Sequence, residues 1–342
     1  MKKFATIREK SEGIDTRIGV QAGGGRLKFI SGDGVNGMIV DVMDTSAKSS
    51  FYIAARPFLQ GIKALPAKSN VDIQVDKDGL TLVSDKGGKL RLAARGPLSA
   101  AGFAKPPKGD VRAVVDIDSA TADQISRLYP AIVSGEEKLS ETYGSIAIVA
   151  NTAYITFVEP SVKTKYASYK TECFTNEECE IVASSAFWEA MTSSGGGEIM
   201  IQDGITVRKG NRILYATHTN EESWPVFGVD GKQETFTCER KVLIDVLKGQ
   251  MPHEKFGRVV LSWKDDALEI RPFGGEGGQT IPVKTSGDAI RGMDGQLLVS
   301  VLNALTDKQV TVGIVAGSPA VILLSESYKD WTLMIAPLST VL

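Results

Sequence analysis

The sequence is short of the residues that most catalytic and metal chemistry uses. It has two histidines in 342 residues, His218 and His253, and they form no H-x-x-x-H pair. It has three cysteines, Cys173, Cys179 and Cys238. With so few ligands no convincing four-ligand zinc set can be written. An odd cysteine count at irregular spacing argues against a disulfide framework and for a reducing cytoplasm. No segment matches G-x-x-x-x-G-K-[ST]. Lys86-Gly87-Gly88-Lys89 runs into Leu90 and reads as a hairpin turn, and Gly195-Gly196-Gly197 and the GGEGG run at 274–278 read as loops. The acidic pairs Glu177-Glu178 and Asp265-Asp266 look like solvated turns. Nothing argues for an enzyme, and no cofactor is expected. No run approaches the roughly 18–20 apolar residues of a membrane span. The N-terminus reaches Arg8-Glu9-Lys10 without a signal peptide's apolar stretch, so no membrane partner is expected. A net charge of -2 excludes a generally basic nucleic-acid coat, so any DNA contact must come from local charge.

What is present is repetition. Thirty-five glycines suit a chain of many hairpins, because tight turns need positive φ. Near the C-terminus, Leu297, Leu298, Val301, Leu302 and Leu305 follow helical spacing, and strand-like runs follow at 310–315, 320–324 and 331–336. The same order, helix then three strands, recurs upstream. Residues 239–248 precede strands at 258–263, 267–272 and 279–283. Residues 184–193 precede strands at 197–202, 205–209 and 212–217. Residues 119–129, after a capping-type Ser119, precede strands at 145–150, 153–158 and 162–166. Arg56-Pro57 opens a helix before strands at 71–75, 80–84 and 90–94, with proline tolerated in the first turn. A short helix with Phe4 and Ile7 precedes strands near 17–21, 26–30 and 37–43. Six repeats pair into three similar α+β domains. Small-residue and proline-rich linkers at 98–110 and 224–233 place the boundaries at 1–110, 111–228 and 229–342.

The helices carry the positive charge. Windows 2–12, 56–68, 119–129, 184–193, 239–248 and 296–308 hold 12 Lys+Arg against 7 Asp+Glu, which leaves the rest of the chain at -7. A helical surface with spaced Lys and Arg can hold phosphates without reading bases. The fourth helix, with Glu189 and no basic residue, departs from this pattern.

The C-terminal segment has more specific features. These are Glu254-Lys255-Phe256, the helix ending Val301-Leu302-Asn303-Ala304-Leu305, the strand Leu333-Met334-Ile335-Ala336-Pro337-Leu338, and the pair Trp224-Pro225 ahead of it. In these residues the chain resembles the third domain of the bacterial-type DNA sliding clamp, the β subunit of the replicative polymerase, and the repeat pattern extends the likeness over the whole chain. Its divergence and short length suit a phage- or plasmid-encoded member, working in the host cytoplasm. The resemblance implies a head-to-tail homodimeric closed ring, with twelve helices inside and antiparallel sheet outside. Duplex DNA would pass through the hole. Lys3, Arg8, Lys63, Arg127, Arg240, Lys241, Lys248 and Lys308 are the DNA-facing candidates. It also implies a hydrophobic pocket for short motifs of the polymerase and the clamp loader. Its walls would be Met334, Ala336, Pro337 and Leu338 from one side and Val158, Pro160 and Val162 from the other. The family often has T-D-G-x-R-L at that second wall, where this chain reads Val158-Glu159-Pro160-Ser161-Val162-Lys163, and here the C-terminus runs on through Ser339-Thr340-Val341-Leu342. A non-catalytic β-rich scaffold, such as a virion component, is the alternative. The charge on the helices and the C-terminal match separate the two.

Overall fold

The structure, a computed structural model, describes residues 17–133, 143–159, 164–217, 233–253, 255–315 and 320–338. In chain order, β1 (Arg17–Gly23), β2 (Arg26–Gly32) and β3 (Asn36–Asp44) lead to β4 (Ser49–Ala54), which runs straight into α1 (Ala55–Ala64). Then come β5 (Val71–Val75), β6 (Gly79–Ser84), β7 (Lys89–Ala93) and the short β8 (Gly96–Pro97). The middle third holds β9 (Ala113–Ile117), α2 (Ser119–Val133), β10 (Tyr143–Val149), β11 (Thr152–Val158) and β12 (Lys165–Glu172). It continues through β13 (Phe174–Thr175), β14 (Cys179–Ser184), α3 (Ser185–Ser193), β15 (Gly197–Ile201), β16 (Gly204–Lys209) and β17 (Arg212–Thr217). The last third begins with β18 (Gln233–Glu239), α4 (Arg240–Gln250), β19 (Arg258–Lys264), β20 (Ala267–Pro272) and β21 (Gln279–Pro282). It ends with β22 (Lys284–Ser286), β23 (Ala289–Asp294), α5 (Gly295–Ala304), β24 (Gln309–Val315), β25 (Val321–Leu324) and β26 (Trp331–Ile335).

The expected order of one helix then three strands holds at all five described helices. The expected helix at 2–12 lies outside the described residues. The structure differs from the sequence reading in several features. Every described helix is entered from a strand that periodicity had not signalled, β4, β9, β14, β18 and β23, with only Asp118 between β9 and α2 and no residue between the others. The strand expected at 162–166 is instead β12, at 165–172. Its polar residues are accommodated because β11 and β26 flank it on both sides. Helix α2 runs past Tyr129 to Val133 with Pro130 in its last turn, where the missing N–H removes one hydrogen bond rather than breaking the helix.

The three odd-numbered repeats share one local device. Their first hairpins, β1–β2, β10–β11 and β19–β20, turn at Gly24-Gly25, Ala150-Asn151 and Asp265-Asp266, all with positive φ. Two positive φ values match the right-handed twist of the flanking strands. Asp265 and Asp266 are therefore turn residues, and Asp266 accepts from the amide and hydroxyl of Thr285.

Contacts divide the chain into two units, residues 1–119 with 183–220 and residues 120–182 with 221–342. In the first, a sheet runs β9-β15-β16-β17-β3-β2-β1-β4-β8, and β5-β6-β7 form a separate three-stranded sheet. Helix α1 packs Phe58 on Phe29, ring centroids 5.2 Å apart, over a core of Ile18, Val20, Ile53 and Leu80. Burying a side chain such as Phe58 contributes roughly 1.5–3 kcal/mol. In the second unit a nine-stranded sheet runs β14-β10-β11-β12-β26-β25-β24-β18-β22, beside a four-stranded sheet β21-β20-β19-β23. Its helices bury Ile125 and Leu128 from α2, Leu243 and Leu247 from α4, and Leu298 and Leu302 from α5.

Candidate functional site

The described helices are amphipathic, and burial of the apolar stripe decides which charges face out. On α1 the outward residues include Arg56 and Lys63; on α2, Asp123 and Arg127; on α3, Glu189; on α4, Lys241, Asp245 and Lys248; on α5, Gln296 and Asn303. Lys308 is exposed just beyond α5. Lys3 and Arg8 lie outside the described residues. Arg127 is exposed but its Nε lies 2.9 Å from Asp123 one turn earlier, and this partner raises its pKa above the usual guanidinium value. Lys241 and Lys248 sit seven residues apart and share a face with Asp245 between them.

Arg240 is placed differently. Its Nε donates to the Asp307 carbonyl at 2.8 Å and its guanidinium donates to the Leu302 carbonyl at 3.0 Å. Its amide donates to the Lys308 carbonyl at 2.8 Å. Arg240 thus caps the C-terminal end of α5, where orphan carbonyls and the helix dipole favour a cation. Asp307 completes the junction by accepting from the hydroxyls of Ser325 and Ser327 and, at 2.8 Å, from the Ser327 amide. Burial pushes the Asp307 carboxyl up, but these hydrogen bonds and the Arg240 charge outweigh it and hold the group below its usual pKa.

Two strand seams repeat the same geometry. β17, the last strand of its repeat, pairs antiparallel with β3, with Tyr215 opposite Gly37. β26, again the last of its repeat, pairs antiparallel with β12, with Met334 opposite Tyr166. Tyr166 in turn faces Val158 on β11, so Val158, Tyr166 and Met334 form one row across three strands. Past this row, the Ala336 amide donates to Thr164 at 2.7 Å and the Leu338 amide to Gly292 at 2.9 Å. Of the expected pocket residues, Val158 is buried, Met334, Pro337 and Leu338 are half-buried and Ala336 is exposed. Pro160 and Val162 lie outside the described residues.

No family model matches the chain, and no curated protein matches it. Solved structures do. The Pseudomonas aeruginosa DnaN sliding clamp (DNA polymerase III subunit beta), bound to griselimycin, superposes with a TM-score of 0.78 over 99% of this chain and 96% of that one, at 14% identity. The Thermotoga maritima DNA polymerase III beta subunit gives 0.77 over 99% and 97%, at 12% identity. The putative beta subunit of Eubacterium rectale gives 0.73 over 99% and 97%, at 14% identity. The chain has the fold of a bacterial DNA sliding clamp.

Within this clamp fold, two residues that the sequence had not singled out stand beside the Val158–Met334 row. Lys165 opens β12 opposite Ile335, and Glu159 follows Val158. A lysine beginning a strand and a glutamate ending one look solvated in sequence. Both are buried here, and the Lys165 ammonium reaches the Ala131 carbonyl of α2. The three cysteines are free thiols, with Cys179 and Cys238 buried. Among the described residues, no helix is long and apolar enough to cross a membrane.

Proposed function

We propose that the chain is a processivity clamp. Three domains, 1–110, 111–228 and 229–342, would build each subunit, and two subunits joined head to tail would encircle duplex DNA and tether a polymerase. It would act by topology, with no chemistry of its own, in the cytoplasm. The observation that carries this is the repeated seam. β3–β17 and β12–β26 each join the third strand of an odd repeat to the last strand of an even one. By the same rule β7 should pair with β21, yet among the described residues β7 and β21 are edge strands of the three- and four-stranded sheets. An exposed edge is a template for another strand. A second copy that pairs its β21 with β7, and the reverse, satisfies both edges and closes a C2 ring. Charge supports the pairing: β7 exposes Lys89 and Arg91, and the segment before β21 exposes Glu276.

DNA contact would come from Lys63, Lys241, Lys248 and Lys308, with Lys3 and Arg8 as further candidates. Arg240 would support the helices rather than touch phosphate, and Arg127 would contribute with its charge partly offset by Asp123. Affinity would be weak and steeply salt-dependent, since log K falls by about 0.9 per phosphate neutralised for each decade of salt. Partner motifs of the polymerase and clamp loader would dock at the Val158–Met334 row with Pro160, Val162, Ala336, Pro337 and Leu338. Griselimycin, to which the Pseudomonas aeruginosa clamp is bound, would serve as a small-molecule probe of this chain. The scaffold reading draws on the engagement of Arg240 and the Asp123 pairing of Arg127, which thin the positive surface.

The test is solution mass by light scattering over a concentration series, with particle imaging. Two subunits around a central hole are expected, and Arg91→Pro, which removes a donor from β7, should give a folded monomer. A wild-type monomer at all concentrations, or a dimer indifferent to Arg91→Pro, overturns the ring. Retention on nicked circular DNA but not on linear DNA separates the clamp from the scaffold.

A further inference from the structure

Among the described residues, two charged side chains are buried: Lys165 at 1% exposure and Glu159 at 5%. Burying a charge is costly unless it is paired and hydrogen-bonded, so the partners indicate what the charges hold. The Lys165 ammonium donates to the Ala131 carbonyl at 2.8 Å, in the last turn of α2. A cation suits that helix end. The Ser300 hydroxyl of α5 approaches the same carbonyl at 3.5 Å. Glu159 accepts from the Thr164 hydroxyl and, at 3.3 Å, from the Thr164 amide. Its own amide donates to the Lys165 carbonyl at 3.1 Å. Thr164 accepts from Ala336, and Leu338 reaches Gly292, two residues before Asp294, which caps α5. Burial lowers the Lys165 pKa, while the charges of Glu159 and Asp294 work in the opposite sense, so both carboxylates act on the ammonium. The circuit joins α2, the start of β12, the exit of β26 and the start of α5.

We propose that Lys165 and Glu159 are positioning residues that hold the exit of β26, Ala336 to Leu338, against Thr164 and Gly292, and so set the wall of the partner-peptide site beside Val158 and Met334. The role as a peptide wall rests on the clamp reading; the role in holding the strand does not. Without the ammonium, the Ala131 carbonyl loses its donor and Glu159 loses a neighbouring positive charge. The start of β12 is then less firmly held, and with it the Thr164 carbonyl that receives the Ala336 amide.

The experiment is amide hydrogen exchange on the full chain. Lys165→Met keeps the stem and removes the charge. It should speed exchange at Ala336 and Leu338 at least tenfold and leave the β3–β17 amides unchanged. Lys165→Arg, which keeps the cation, should restore protection. Wild-type protection at both amides in Lys165→Met overturns the proposal, as does loosening that extends equally to β3–β17. If Lys165→Met does not fold, Glu159→Gln/Lys165→Met removes both charges together. Fast exchange at Ala336 and Leu338 in that variant supports the proposal, and wild-type protection overturns it. Titration of the wild-type chain with griselimycin reads the peptide site separately. A chain that binds no griselimycin but in Lys165→Met still loosens at Ala336 and Leu338 keeps the positioning role and loses the peptide site.

Discussion

Gly37→Ala places one methyl group where the β3–β17 seam has no room. A Cβ at Gly37 would lie 2.2 Å from Cζ of Tyr215, 2.3 Å from its hydroxyl oxygen and 2.6 Å from Cε2. The ring cannot swing away, because Tyr215 is 1% exposed and its hydroxyl donates to the Ala104 carbonyl at 2.8 Å. Either the ring shifts and loses that hydrogen bond, or the strand pairing from Arg212–Val40 to Ala216–Asn36 opens. Overpacking costs about 1–3 kcal/mol, and the lost hydrogen bond about 1 kcal/mol more. Alanine is better than glycine in a strand by about 0.5–1 kcal/mol, so the net cost should be about 1–3.5 kcal/mol. The assay is urea denaturation of four proteins: wild type, Gly37→Ala, Tyr215→Leu and the double variant. Amide exchange at Ile39 and Ile213 would report on the seam itself. Leucine lacks the clashing atoms, so in that background Gly37→Ala should be neutral or slightly stabilising, a coupling energy well above 1 kcal/mol. Effects that add within about 0.5 kcal/mol would refute the steric argument.

Asp294→Ala should destabilise the second unit by about 1 kcal/mol, measured by urea denaturation, because its carboxylate accepts from the amides of Gln296 and Leu297 at 2.8 and 3.2 Å. Arg240→Met should cost about 2 kcal/mol through two charge-assisted hydrogen bonds. Lys63→Gln/Lys241→Gln/Lys248→Gln should leave stability unchanged and flatten the salt dependence of DNA binding; equal effects from both variants would contradict the assignment of Arg240 as a cap. Burial pushes the Tyr215 hydroxyl and the Cys238 thiol each up to about 12, from 10.0 and 9.0. The fold favours their neutral forms, so their contribution is complete below pH 9.0 and is lost as pH rises to about 12. Cys238→Ala should therefore give a shallower decline of stability above pH 9.0, followed by circular dichroism, and an unchanged decline would count against this.

Much of the fold was legible because each repeat is built from local signals. Apolar alternation marks 71–75 and 267–272, and a short apolar run marks 212–217; these are strands with those bounds. Helical spacing located all five described helices, with ends displaced by a few residues. The strands entering the helices were not legible. In β18, QETFTCE, only Phe236 and Cys238 face the core, and Glu239 runs without a break into α4. Two inward residues are too few to establish a period of two, and the helical pattern that follows masks them. For the candidate site, periodicity put Lys241 and Lys248 on an outer face, where the structure has them. It could not tell that Arg240 turns back.

By itself the sequence determined the α+β class and the repeat of a helix followed by three strands. These depend on composition and on neighbours within about ten positions. Only the tertiary structure decided that Arg240 serves the carbonyls of Leu302 and Asp307, that Lys165 and Glu159 are buried, and that Gly37 makes room for Tyr215. Each of those depends on which strand or helix end arrives from far along the chain. A side chain's pattern records only whether it can be polar or apolar. The partner that satisfies it is set by the seams, where hydrogen-bonding edges and packed faces from distant repeats meet.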